Sequence, residues 1–281
     1  MFGFSERRWA VEVSADTVAA AGFNGRRLVA FAEEEIPPGV WERGVITDPA
    51  LLGERLGKLL KRLGCRRGKV RFVVPNVDAI ERILTIPLVP EKKIGLAVQA
   101  EVRRQLAVDL EQVYLRWAKV GKSGGHVIFL ALVLREALDS YLEALRKGRY
   151  TPVYADLQSL AVLRGVKKRD GFFVILGGDG FLAVTGADEG VPFFSYGQMV
   201  EGLEAVAAIE QALVTGISSL RARGKAMADS PVYLFGEAAT PEITLALRER
   251  DYKVTELKPG VPCPANFPLA RRAALLGALL A

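Results

Sequence analysis

The strongest constraint on the fold is a repeated arrangement. Residues 9–36, WAVEVSADTVAAAGFNGRRLVAFAEEEI, read as three short strands joined by tight turns, and residues 171–197, GFFVILGGDGFLAVTGADEGVPFFSYG, read the same way. The predicted strands are 9–13, 18–23 and 28–34 in the first stretch, and 172–176, 181–186 and 191–194 in the second. Asn24-Gly25 is a hairpin turn because both residues tolerate positive φ, and Gly177-Gly178-Asp179-Gly180 and Asp188-Glu189-Gly190 are ordinary turn chemistry. The two stretches share little sequence, so the duplication is one of architecture.

The elements after each meander are also parallel in order. After the first, Thr47-Asp48-Pro49 opens a helix with Leu52, Leu56, Leu59 and Leu63 at helical spacing, and KVRFVVP is a buried strand stopped by Pro75. After the second comes a long helix with Val206, Ile209, Leu213, Ile217 and Leu220 on one stripe. Strand PVYLFG, helix TPEITLALRER, strand YKVTEL and a final helix ending AALLGALLA come next. Strands that alternate with crossover helices predict mixed sheets covered by helices.

The first half carries an extra block over 77–150. AIERILTIP is a strand, and EKKIGLAVQAEVRRQL is a helix with Ile94, Val98, Val102 and Leu106 on one stripe. VYLRWAKVG and HVIFLALV are paired strands, and REALDSYLEALRKG is a helix with Leu138, Tyr141, Leu142 and Leu145 inward. The first sheet then resumes with TPVYADLQSLAVLRG. The expected division is a first subdomain at 1–76, completed by 151–168 and the helix at 267–281, with an α+β insert at 77–150 and a second subdomain at 169–266.

Composition excludes several classes. The net charge of +6 is spread over scattered pairs such as Arg7-Arg8 and Arg103-Arg104, with no aromatic-rich basic patch, so nucleic acid is not expected as a partner. One histidine, His126, and two distant cysteines, Cys65 and Cys263, give no zinc spacing and no nucleophile–base pair, and point to a reducing compartment. His126 is expected at a turn or strand edge. No signal peptide is read at the N-terminus, and the longest apolar runs are well short of the roughly 20 residues that span a bilayer. Few Asn, Gln, Met and Cys suggest a thermophile.

Two lobes of this kind, with an insert in the first, resemble the actin-like ATPase superfamily, whose first hairpin turn in each lobe reaches nucleotide phosphates. More specifically, RWAVEVSADTVAAAGFNGRRLVAFAEEEIPPGVWERGVITDPALLGERLGKLLKRLG is similar to the N-terminal subdomain of the PilM family of type IV pilus assembly proteins. That family opens with a GIDIGSSSIK-like phrase, a Pro-Pro-Gly loop and a "G.I.DP" turn. KVRFVVPNVDAIERILTIPLVPEKKIGLAVQAEVRRQLAVDLEQVYLRWAKVG resembles the family's inserted subdomain, and YTPVYADLQSLAVLRGV and ANFPLARRAALLGALLA resemble their counterparts. The likeness covers nearly the whole chain. It implies an α/β, actin-like (ribonuclease H-like) two-lobe fold with duplicated mixed sheets and a small α+β insert in the first lobe.

The departures concern the nucleotide. Where the family has Asp, Gly and Lys at the first phosphate turn, this chain has Glu12, Ser14 and Ala19, with the acidic Asp16 inside the turn. A phosphate cradle needs closely approaching backbone N–H groups and gains from a cation. At the second turn the family's Asp-Ile-Gly becomes Leu176-Gly177-Gly178, followed by Asp179, and LFGEAA keeps Gly236 but puts Glu237 where a second Gly is usual. The family's further small subdomain after the second meander is missing, since Gly197 runs through QMVEG into the long helix. If nucleotide binds, the expected contacts are Ser14, Asp16, Thr17, Gly178, Asp179, Gly180 and Gly236. No cofactor is expected, and ATP and magnesium stay open as ligands.

The resemblance therefore implies a cytoplasmic, catalytically inactive scaffold, peripheral to the inner membrane. It would bind the short N-terminal peptide of a PilN-like bitopic membrane protein in a groove beside the insert, with Ile83, Leu84, Gln99 and Arg103 as the partner-binding residues. Other pilus platform or motor proteins and self-association are further expected partners. Two alternatives stay open: an active ATPase or phosphotransferase using Glu12, Asp16 and Asp179, and a GspL-like cytoplasmic domain of type II secretion.

Overall fold

The computed structural model describes residues 7–66, 68–106, 108–200, 204–221 and 230–281. Glu201 and Gly202 of the QMVEG run lie outside the described residues.

Strands β1 (Arg8–Val13), β2 (Thr17–Asn24) and β3 (Arg27–Glu35) form the first antiparallel meander. A short hairpin, β4 (Trp41–Glu42) and β5 (Val45–Ile46), leads into α1 (Pro49–Arg62). Asp48 caps that helix by accepting the Leu51 N–H at 2.9 Å, and Pro49 occupies the first turn, where its missing N–H costs nothing. β6 (Gly68–Val74) then returns parallel to β1.

The insert comes next as β7 (Ala79–Ile86), α2 (Ile94–Gln105), β8 (Val113–Lys122) and β9 (His126–Leu134), in an antiparallel sheet of order β7-β9-β8. The unbroken apolar run of β9 reflects burial on both faces. Ile128, Leu130 and Leu132 pack on Ile94, Val98 and Val102 of α2, while Phe129, Ala131 and Val133 join the first-lobe core.

The chain continues with α3 (Arg135–Lys147), β10 (Tyr150–Leu157) and α4 (Gln158–Gly165), with β10 parallel to β6. The inward stripe of α3, read from sequence as part of the insert, packs against the first lobe: Tyr141, Ala144 and Leu145 share one core with Leu52, Leu56 and Phe72. The first sheet thus has the order β10-β6-β1-β2-β3.

The second lobe repeats the plan. β11 (Gly171–Leu176), β12 (Phe181–Asp188) and β13 (Val191–Met199) form an antiparallel meander. α5 (Glu204–Arg221) comes after it, β14 (Val232–Phe235) lies parallel to β11, and α6 (Pro241–Arg248) and α7 (Leu269–Leu280) close the chain. β13 runs on to Met199, past the predicted end at Phe194, because the pairing with β12 continues to Phe181↔Met199. The predicted strand YKVTEL is reduced to one parallel bridge, Val254 to Val232. The chain then leaves the edge of the four-residue β14, and Leu257 and Val261 turn into the core between the sheets.

That central core decides how the lobes sit. The helices α4 and α7 lie between the two sheets, touching Ala10, Ala19 and Val73 on one side and Phe173, Ile175 and Phe235 on the other. They approach so closely that a Cβ at Gly277 would stand 1.6 Å from the Ala161 carbonyl oxygen, and one at Gly165 would stand 2.3 Å from that of Ala273. The apolar C-terminal run is therefore a docked helix, and among the described residues no helix is long and apolar enough to cross a membrane.

The insert also reaches the second lobe. The buried carboxylate of Glu81 on β7 accepts from Asn76 Nδ2 at 3.1 Å, from the Ser159 hydroxyl, and from Ser195 Oγ of β13 at 3.2 Å. Burial pushes its pKa up, against those three hydrogen bonds.

Candidate functional site

Two places concentrate the features that function requires. The first is the interlobe cleft, where the meander turns converge as predicted for a phosphate site. β1 alternates so that Trp9, Val11 and Val13 face α1 while Ala10 and Glu12 face the other lobe, which carries Glu12 into the cleft. The turn between β1 and β2 presents Ser14 and Thr17, and the loop after β14 presents Glu237. Arg272 enters from α7 at a break in the helix, where its backbone has φ −124° and ψ 21°.

These groups bond to one another. Ser14 Oγ donates to Glu237 Oε1 at 2.6 Å, and Thr17 Oγ1 lies 2.7 Å from Ser14 Oγ. Arg272 donates from Nη2 to Thr17 Oγ1 at 2.6 Å and from Nε to Glu33 Oε2 at 3.1 Å, with Nη1 3.2 Å from Glu237 Oε1. One proton assignment satisfies the chain: Arg272 to Thr17, Thr17 to Ser14, Ser14 to Glu237. Glu12 Oε2 stands 3.9 Å from Arg272 Nη1, and Gln158 donates to Glu12 Oε1 at 3.3 Å. Burial pushes the Glu12 carboxyl up to about 7, with Arg272 pulling it down and Glu237 and Glu33 raising it further.

The second turn is closed on itself. Gly177 N–H donates to the Phe181 carbonyl at 2.9 Å, Gly180 N–H to that of Gly177 at 3.2 Å, and Asp179 Oδ1 accepts Phe181 N–H at 3.0 Å. Burial raises the pKa of Asp179. The Glu237 carboxylate lies over Gly178, where a Cβ would be 3.0 Å from Oε2. Of the expected nucleotide contacts, Ser14, Gly178, Asp179 and Gly236 line what remains of the cleft, a cavity of about 30 Å³. That volume suits a water molecule, whereas small-molecule sites run to roughly 300 Å³ and more. Thr17 is tied into the ion-pair network, Asp16 is exposed, and Gly180 serves the turn with φ +82°. Among the described residues no group of three His, Cys, Asp or Glu is arranged to hold a metal ion. His126 is buried at the start of β9, with Nε2 2.9 Å from the Val89 carbonyl.

The second place is an apolar groove of about 590 Å³ between the insert and the first lobe. Its walls are two strands that are edges among the described residues: β8, paired with β9, and β10, paired with β6. β8 contributes Tyr114, Arg116 and Trp117, β10 contributes Val153, Tyr154 and Leu157, and the base is Phe129, Ala131, Leu138 and Leu142. Val153 is 48% exposed at the rim, while the Trp117 ring turns toward Gly95 of α2 and the Tyr154 ring lies beside the Arg71 guanidinium. Arg135 stacks on the Tyr114 ring at 4.3 Å, and the Tyr114 hydroxyl donates to Asp139 at 2.9 Å, which fixes that corner.

The residues expected from sequence to bind the partner lie outside the groove lining. Ile83 pairs with Phe129 in the neighbouring strand and packs on the first-lobe core, Leu84 is buried under α2, and Gln99 and Arg103 are exposed on α2. Sequence reasoning does not single out Trp117, Tyr154 and Leu142 for this role. The sequence does hold a hint of them, in the apolar and aromatic residues that both edge strands carry outward.

No protein-family model matches the chain, and no curated protein sequence matches it. Solved structures do. A PilM–PilN type IV pilus biogenesis complex is similar with a TM-score of 0.76 at 20% identity, covering 98% of this chain and 98% of that one. The cytoplasmic domain of EpsL, an inner membrane component of the type II secretion system of Vibrio cholerae, is similar at 0.59 and 12% identity, covering 98% and 96%. A Bacteroides thetaiotaomicron protein with an actin-like ATPase fold is similar at 0.53 and 9% identity, covering 100% and 99%. The chain has the two-lobed actin-like fold, as the repeated meanders predicted.

Proposed function

We propose that this chain is a non-hydrolysing scaffold of a type IV pilus assembly platform, held at the inner face of the cytoplasmic membrane by a partner. Its groove between β8 and β10 takes the short N-terminal cytoplasmic peptide of a PilN-like membrane protein. The observation that carries this reading is the groove itself: two unpaired strand edges flank an apolar base, the arrangement that captures an extended peptide by backbone hydrogen bonds and side-chain pockets. The likeness to a PilM–PilN complex supports it. The cleft supports the loss of nucleotide chemistry, because the Glu237 carboxylate occupies the place where a phosphate would need N–H donors and a cation. An active ATPase or phosphotransferase is disfavoured for the same reason.

The likeness to the EpsL cytoplasmic domain supports a second reading, the equivalent role in a type II secretion platform. The test is calorimetric titration with synthetic N-terminal peptides of candidate membrane partners encoded beside this chain's gene. Saturable binding of a pilus-type peptide without ATP, lost in Leu142→Asp, is the expected outcome. Equal binding by the variant, with its fold intact by circular dichroism, would remove the groove from the proposal.

A further inference from the structure

The arginines that look scattered in the sequence are gathered by the fold. Arg8 opens β1, Arg26 sits in the β2–β3 turn, Arg164 ends α4, and Arg169 lies in the segment joining the lobes. All four line one open pocket of about 300 Å³ beside Leu280. Arg8 Nη2 is fixed by the Gly25 carbonyl at 2.7 Å. Arg164 pairs with the buried Asp156 but leaves its own buried Nε without an acceptor. Four guanidiniums line the pocket, and among the described residues Asp156, paired with Arg164, is the acidic side chain in an ion pair with one of them.

Like charges gathered around one pocket repel one another, and an anion among them offsets that repulsion. A fifth guanidinium, Arg71, is near enough that Arg8 adds to the burial that lowers its pKa. Arg71 is occupied by the Ala278 carbonyl and the main-chain carboxylate oxygen of Ala281. The pocket is separate from the interlobe cleft, because Arg8 and Glu12 sit toward opposite ends of β1, four residues or roughly 14 Å apart along an extended strand.

We propose that this pocket binds a phosphate-bearing anion. The planar forks of several guanidiniums converging on one volume are suited to phosphate oxygens, which accept two hydrogen bonds from each fork. The apolar Leu280 at the wall suits a ligand whose phosphate continues into carbon. Such chemistry has two sources, a soluble phosphate compound or an anionic lipid headgroup.

The probes are inorganic pyrophosphate, titrated by calorimetry, and vesicles of phosphatidylglycerol set against phosphatidylcholine, tested by co-sedimentation. The variant is Arg26→Ala with Arg169→Ala, because both side chains are exposed, whereas Arg8 and Arg164 also brace the fold. Lys92→Ala with Lys93→Ala, on the far insert, is the charge-matched control. The expected result is saturable binding of one probe, weakened at least ~tenfold in the arginine variant and little changed in the control. Pyrophosphate binding assigns a soluble ligand. Binding only to phosphatidylglycerol vesicles assigns a headgroup. Binding of neither probe, or equal loss in the control, overturns the site.

Discussion

Ser14 and Glu237, 223 residues apart in sequence, are joined by a 2.6 Å hydrogen bond that crosses the cleft between the lobes. The Glu237 carboxylate stands between the Ser14–Thr17 turn of the first lobe and Gly178 of the second. Nucleotide phosphates would meet Glu237, Glu33 and Glu12 around two arginines, Arg271 and Arg272, which are already paired with those acids. Calorimetric titration of the protein with Mg-ATP is expected to show no binding tighter than ~1 mM. A Kd near ~1 µM, about −8 kcal/mol, would contradict this. Glu237→Gly, the residue usual in the resembling family, removes the bolt and is expected to cost about 1–3 kcal/mol of stability in urea unfolding, as the Ser14 hydroxyl and Arg272 lose an acceptor.

Arg272 is the hub of the same network and is 1% exposed. Its replacement by Met keeps the volume but leaves the Glu12 and Glu237 carboxylates facing one another without a cation. Removing one partner of a buried ion pair costs about 3–5 kcal/mol. Arg272→Met is expected to lose at least that much in chemical denaturation. The double variant Arg272→Met with Glu237→Gln, which removes an orphaned charge as well, is expected to recover part of it.

Glu12 contributes to the pH dependence of stability, in the same direction as the buried Glu81 and Asp179. Its carboxyl is pushed up to about 7 in the folded chain, from an ordinary value of 4.5, chiefly by burial. Below 4.5 both states hold the proton. Between 4.5 and 7 the folded state keeps a proton that the unfolded chain has released, so this group's contribution falls as pH rises and levels off above 7. A difference of 2.5 pH units at ~1.4 kcal/mol each gives about 3 kcal/mol. Glu12→Gln cannot titrate. Its urea midpoint, followed from pH 4.5 to pH 8, is expected to decline less than that of the parent protein, and identical profiles would count against the buried Glu12 carboxyl as a cause.

Much of the scaffold was legible because it rests on local signals. Asn24-Gly25 and Asp188-Glu189-Gly190 fix hairpins within a few residues, and the Leu52, Leu56 and Leu59 stripe fixes a helix and its buried face. YKVTEL alternates like a strand, yet pairing needs a neighbour, and β14 offers it only four residues of edge. The cleft residues Ser14 and Glu237 were legible as turn residues of the two lobes. That Glu237 bonds Ser14 was not, because this contact depends on how α4 and α7 set the lobes together. Arg272 reads as the second of two adjacent arginines at the head of an apolar terminal helix, and nothing nearby in sequence names its partners. The groove is the same case. Leu142 and Tyr154 belong to different elements, and only the docking of α3 beside β10 makes them neighbours in one wall.

The peptide proposal makes a demand on backbone chemistry that side-chain variants alone do not test. A strand added to β10 or β8 uses alternate N–H groups of the peptide, since successive residues point their N–H groups to opposite sides. Methylating the nitrogens on one side blocks pairing, whereas methylating the other side leaves it intact. Two peptides of one sequence, methylated in the two alternate patterns, are therefore expected to differ by at least ~tenfold in affinity, each lost hydrogen bond being worth about 1 kcal/mol. β10 carries Pro152 and a bulge between Pro152 and Tyr154, which interrupt its outer edge, and β8 has a bulge between Lys119 and Gly121. The regular stretches are thus 154–157 of β10 and 113–119 of β8, and the longer β8 stretch offers the better template. Ala118→Pro, placed on that stretch, is expected to weaken the peptide if β8 is the template, and Ala155→Pro if β10 is. If the two methylation patterns bind alike while Leu142→Asp still abolishes binding, the peptide is held by side chains alone, and the groove captures a helix instead of a strand.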